Sequence, residues 1–178
     1  MNISIQDIKE IILSIPKVKT SPFYTERDFV WTCQMELLNY IEAVPALNSH
    51  YMLTYEHPIT VQTVNGGTKR YADLAIITRV GKEPVLIIEY KYEPNHNRGD
   101  IWSEKLPVVS INGITKDRDR IHEMVKSHKK LNWLFVLLDE GNHFKDKVEK
   151  IYNLFEDAGL DKSNVLIIND KIQNSSST

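Results

Sequence analysis

A single cysteine, Cys33, is all the thiol chemistry this sequence holds. An internal disulfide is excluded, and so is a zinc knuckle built on paired cysteines. An excess of positive charge is also missing. The formal net charge is −2, which argues against attachment to nucleic acid through bulk charge. No apolar run approaches the length of a membrane span, and the first residues lack the basic-then-apolar layout of a signal peptide. The expectation is a cytoplasmic protein with no membrane partner. Strand-end acids stand at Asp139 and Glu140, but no GxxxxGK[ST] loop exists to hold the phosphates of an ATPase substrate. His122-Glu123 and His128 do not have the four-residue histidine spacing of an HExxH helix. No serine sits in GxSxG, so acyl transfer has no support either.

What is present suits one globular domain. Hydrophobic residues make up 42% of the 178 positions and charged residues 26%, an ordinary balance for a chain of this length. The expected domain covers residues 1–172, with a polar, disordered tail at 173–178. Within it the pattern predicts an N-terminal helix over 1–16, a core over 25–139, and a C-terminal helix and strand over 143–170. Ile5, Ile8, Ile11, Ile12 and Ile15 recur at helical spacing, with Ser4 and Asp7 placed as a capping box and Pro16 as the stop. A second helix runs from Thr25 to Ala43 with Phe29, Val30, Cys33, Leu37 and Ile41 as its buried stripe. A strand over residues 51–64 carries Glu56 and Pro58, which suggest a bulge or an edge. Residues 93–105 read as a loop, and 106–111 as either a strand or a buried connector. A basic helix over 115–130, a strand over 131–139, a helix over 143–158 and a last strand at 165–168 complete the order.

The stretch from Arg70 to Glu93 forms a hairpin about Val80-Gly81-Lys82. Strand alternation puts Val85, Ile87, Glu89 and Lys91 on one face. Folding about Gly81 sets Ile77 against Val85, Ala75 against Ile87, and Asp73 against Glu89. Like charges directly opposite repel, so sheet packing alone gives no reason for the last pair. A divalent cation between them would supply one. The plainer alternative is a salt-bridged strand pair that uses Lys91. Glu26 is a second anomaly, because it falls in the middle of the second helix's apolar stripe while Glu36 lies towards its edge. Either Glu26 simply favours the positive helix N-terminus, or it serves the same site as the strand acids.

Asp73, then fifteen residues, then Glu89-Tyr90-Lys91 resembles the signature of the PD-(D/E)XK, or restriction-endonuclease-like, nuclease superfamily. Ala72 stands where the signature has proline. The resemblance implies an α/β fold with an αβββαβ core, a mixed central sheet flanked by helices. It implies a nuclease, endo- or exo-acting, that hydrolyses phosphodiester bonds in DNA with Mg2+, or Mn2+ in its place. Asp73, Glu89 and the main-chain carbonyl of Tyr90 would hold the metal. Lys91 would orient the attacking water or stabilise charge on the phosphate. Many members bring a glutamate from the first core helix, a role that Glu26 matches. Lys116, Arg118, Arg120, Lys126, Lys129 and Lys130 would be either a solvated face or a phosphate-contacting surface. Cutting both strands with one site per chain would favour a homodimer. The competing expectation is a catalytically inactive module of the same fold that binds nucleic acid or a protein partner.

Overall fold

The computed structural model describes residues 3–18, 23–63, 66–100 and 107–169. A five-stranded sheet organises them, in the spatial order β1-β2-β3-β4-β5. The strands are β1 (Tyr51–Thr63), β2 (Gly66–Thr78), β3 (Pro84–Glu93), β4 (Asn132–Asp139) and β5 (Val165–Ile168). The first three pair antiparallel, and β4 and β5 then run parallel to β3. The fold is therefore α/β with a mixed sheet. Helices α1 (Ile5–Val18), α2 (Glu26–Ala43) and α3 (Pro45–His50) precede the sheet, α4 (Ile111–Ser127) connects β3 to β4, and α5 (Val148–Glu156) connects β4 to β5.

Two apolar cores form, one on each face of the sheet. Ile8, Ile12 and Ile15 of α1 and the α2 stripe pack against Leu86, Ile88, Tyr90 and Tyr92 of β3. On the other side, Ile114, Ile121 and Met124 of α4 and Ile151 and Phe155 of α5 pack against Ile87, Phe135 and Leu137. Period-two alternation along β3 divides its side chains between the two. Burial on both faces explains why β4 reads as a continuous apolar run.

Several expectations need correction. Helix α1 runs through Pro16 to Val18. Ser4 does cap it, accepting the Gln6 N–H, but Asp7 accepts the hydroxyl of Tyr40 at 2.8 Å. Beyond the end of α2, Pro45 opens α3 from the first helical position, where its missing N–H costs nothing. Helix α4 begins at Ile111, earlier than Thr115, because Ser110 caps it by accepting the Gly113 N–H. It ends at Ser127, so Lys129 and Lys130 lie in the following turn. In the 143–158 segment a 3-10 turn at Lys145–Lys147 precedes α5. Residues 101–106 and the 173–178 tail fall outside the described residues.

The hairpin register holds at its centre, with Ala75 opposite Ile87. A bulge between Ile76 and Ile77 then sets Ile77 against Pro84 instead of Val85. Val85 consequently packs with the α1–α2 core while Ile87 packs with the α4–α5 core. The turn itself uses left-handed backbone at Gly81 (φ 83°) and Lys82 (φ 56°).

A larger irregularity sits at Asp73. On one side of β2, Tyr55 faces Leu74 and His57 faces Ala72, but Glu56 and Asp73 do not pair. On the other side the ladder to β3 ends at Leu74 opposite Ile88. Glu56 takes a left-handed conformation (φ 47°) at this break, consistent with the bulge expected there. The sheet faces also exchange across it. Leu74 belongs to the α1–α2 core, whereas Ala72, two residues away, belongs to the α4–α5 core. A regular strand would put both on one face.

Candidate active site at the parting of two strands

Where β2 parts from β3, side chains from four elements meet. Half-buried Asp73 accepts the main-chain N–H of Tyr90 on Oδ2 at 2.8 Å. This bond holds its carboxylate beside the Glu89-Tyr90-Lys91 segment. Glu89 is fully buried. Its Oε2 accepts from Arg120 Nη2 of α4, and its Oε1 is buried with no hydrogen-bond partner among the described residues. Burial first, and then the Asp73 charge, push the Glu89 carboxyl well above the usual glutamate range. Arg120 only partly offsets them.

Lys91 is the hub. Its Nζ donates to the Tyr90 carbonyl at 3.0 Å and lies 3.0 Å from Asp117 Oδ2 of α4. Glu26 Oε2, from the first turn of α2, is 3.7 Å away. Burial pulls the ammonium down, but Glu26, Asp117 and Asp73 outweigh it and hold Lys91 above the ordinary lysine value. Glu26 itself is displaced upward, by burial and then by Asp73 and Asp117, against the lowering pull of Lys91. Asp117 is raised mainly by burial, with Lys91 and Arg120 opposing. Arg120 Nη2 also reaches Asp117 Oδ1 at 2.8 Å.

The capping geometry of α2 explains how Glu26 arrives. Thr25 accepts the Asp28 N–H, and Asp28 in turn accepts the Thr25 N–H. This reciprocal box starts the helix at Glu26 and fixes that residue's direction. Glu36, the alternative on the same helix, is exposed.

The structure thus brings together Asp73, Glu89, Lys91 and Glu26, and it adds Asp117. The Tyr90 carbonyl, expected to face a cation, takes the Lys91 ammonium. Four carboxylates face two side-chain cations here. Full ionisation would leave two negative charges, matching one divalent ion. Among the described residues no three His, Cys, Asp or Glu side chains already stand as a metal-binding group. The uncommitted oxygen of Glu89 is the feature that fits a hard cation, which takes oxygen ligands.

The six basic residues divide. Arg120 points inward to Glu89 and Asp117, and Arg118 donates to the Leu154 carbonyl at 2.9 Å and pairs with Asp119. Lys116, Lys126, Lys129 and Lys130 are exposed. Beside the cluster, an open hollow of about 400 Å³ is lined by Lys69, Arg70, Tyr71, Lys116, Asp119, Arg120 and Glu123.

Asp117 was missed from sequence. It occupies the same apolar stripe as Ile114, Ile121 and Met124. Asp117 lies four and seven residues before Ile121 and Met124, so the test that singled out Glu26, a carboxylate on a core-facing stripe, finds it within 115–130 as well. Another group of acids was also read too loosely. Asp139 accepts the N–H groups of His143 and Phe144, Glu140 pairs with Arg98 at 2.7 Å, and Glu93 accepts from Val108 and Val109. These bonds pin loops at the end of β3 and β4.

No family model matches this chain, and comparison with curated proteins and with solved structures returns no match. Among the described residues no helix is long and apolar enough to cross a membrane.

Proposed function

We propose that the chain is a metal-dependent nuclease of the restriction-endonuclease-like kind, acting on DNA. The observation that carries this reading is Glu89 Oε1, a buried carboxylate oxygen with no partner among the described residues, on a side chain that the Asp73 charge reaches. Leaving such an oxygen unpaired is costly unless something else satisfies it. The order α2-β1-β2-β3-α4-β4 supports the expected core, with α3 as an extra turn between its first helix and first strand.

Asp73 and Glu89 would hold Mg2+ or Mn2+, with Glu26 and the Tyr90 carbonyl as further oxygen donors. A divalent cation there supplies Lewis acidity and a more acidic water. Lys91 remains protonated at neutral pH, so its part is electrostatic. It offsets negative charge growing on the phosphate and does not take up a proton. Arg120 and Asp117 hold Glu89 and Lys91 in place. Lys69 and Lys116, at the rim of the neighbouring hollow, would contact backbone phosphates.

The test is incubation of the purified chain with linear and circular duplexes and single strands, with Mg2+ or Mn2+. The parent should cut, and EDTA, Asp73→Ala, Glu89→Ala and Lys91→Ala should each abolish cutting. No cleavage of any DNA, with no Mg2+-dependent rise in melting temperature, would defeat the reading. One observation favours a second reading, a non-catalytic binding module. Arg120 already gives Glu89 a cation. A module would bind DNA in EDTA and gain nothing from Mg2+.

A further inference from the structure

On the outer side of α2, away from its apolar stripe, the chain exposes aromatic surface. Trp31 is 61% exposed and Tyr55, across on β1, is 41% exposed. Together with Arg27 and Gln34 they line a hollow of about 240 Å³. Arg27 and Trp31 are four residues apart on α2, and so lie one turn apart on one side of it. Among the described residues none of the four side chains has a hydrogen bond or ion pair to another residue. Among the described residues no carboxylate lines the hollow.

Its position ties it to the acidic cluster. Arg27 follows Glu26 directly, and Tyr55 directly precedes Glu56 at the break beside Asp73. Consecutive Cα atoms lie about 3.8 Å apart, so Arg27 begins one residue from Glu26, while Tyr55 faces Leu74, the residue after Asp73. Aromatic faces accept any base by stacking, and an arginine beside them suits either a phosphate or a base face. A hollow of this size admits one flat ring system and not a duplex. We infer that the Arg27–Trp31–Tyr55 hollow stacks one unpaired nucleobase next to the scissile phosphate. The preferred substrate is then a single strand, a frayed end or a flap. The substrate preference rests on the nuclease reading, but the stacking site does not.

The probe is a fluorescein-labelled dT12 oligonucleotide, compared with a labelled 12-base-pair duplex, titrated in EDTA so that binding is read without cleavage. Trp31→Ala should weaken dT12 binding about ten-fold or more, the scale of one base–aromatic stack, and leave duplex binding unchanged. Trp31→Phe should restore most of the affinity, and Tyr55→Ala should weaken dT12 binding as well. Thermal melts should coincide, because Trp31 is largely exposed. Equal losses on both probes, or none, overturn the inference. Light scattering that shows a parent dimer turned monomeric by Trp31→Ala, with dT12 affinity intact, overturns it in favour of a second copy of the chain. The two readings fail separately. Mg2+-dependent cutting without any Trp31 effect on dT12 removes only the stacking site, whereas Trp31-dependent dT12 binding without cutting removes only the nuclease.

Discussion

Asp73 reaches across to the backbone of Tyr90, where its Oδ2 accepts the N–H at 2.8 Å. A side chain thereby makes the link that strand pairing has stopped making, since the ladder between β2 and β3 ends at Leu74 and Ile88. Two strands part without leaving that donor unsatisfied. The gap so formed is where Glu26 and Asp117 meet Lys91, although their helices pack on opposite faces of the sheet.

This bond sets the sign of one prediction. Repulsion between Asp73 and Glu89 alone would make Asp73→Ala neutral or stabilising without metal. Removing the acceptor of the Tyr90 N–H costs about 1–3 kcal/mol and should prevail. Asp73→Ala is therefore expected to be less stable than the parent in EDTA, and Asp73→Asn, which keeps an acceptor, to lie between them. Urea unfolding curves measure the order. An Asp73→Ala protein as stable as the parent would show that the bond is weak in solution.

Glu89→Gln should behave in the opposite way, and its effect should depend on pH. Burial, and then the Asp73 charge, raise the folded Glu89 carboxyl well above the ordinary glutamate value of 4.5. Its contribution to stability is thus fully present below about pH 4.5 and is lost as pH rises through the folded value. Glutamine does not titrate. In EDTA the variant's advantage over the parent should be absent at low pH and grow as pH rises towards the folded Glu89 value. Adding Mg2+ should reverse the difference by stabilising the parent alone, by about 2.7 kcal/mol at a hundred times the dissociation constant. Parallel stability profiles from pH 4 to 8 would contradict the burial argument.

Arg120→Ala should be among the costlier single changes near the site. It leaves Glu89 buried without its counter-charge and takes a partner from Asp117. Breaking a buried pair costs about 3–5 kcal/mol, and the partial exposure of Arg120 places this case at the low end. Combining it with Glu89→Gln should recover 1 kcal/mol or more, because the stranded charge is gone. Strict additivity in that double-mutant cycle would mean the two side chains do not interact.

Local pattern determined a good deal of this protein. The isoleucine spacing of α1, the stripe of α2, the turn at Gly81 and the uniformly apolar β4 are periodic or steric signals carried by neighbouring residues. Glu26 was legible in the same way, as a charge lying within an apolar stripe, and Asp117 carried the same signal four and seven residues before Ile121 and Met124. Other features left no such trace. Val85 changes face because it is the extra, unpaired residue where the register shifts opposite Ile76 and Ile77. Ala72 and Leu74 separate because β2 twists at a residue that pairs on neither side. Arg120 reads from its surroundings as one more cation on a basic helix. Only the packing of α4 against β3 turns it onto Glu89. Capping, turns and amphipathic period act over a few residues, so the sequence displays them. Which charges meet depends on how elements tens of residues apart are brought together, and that was decided by the tertiary structure alone.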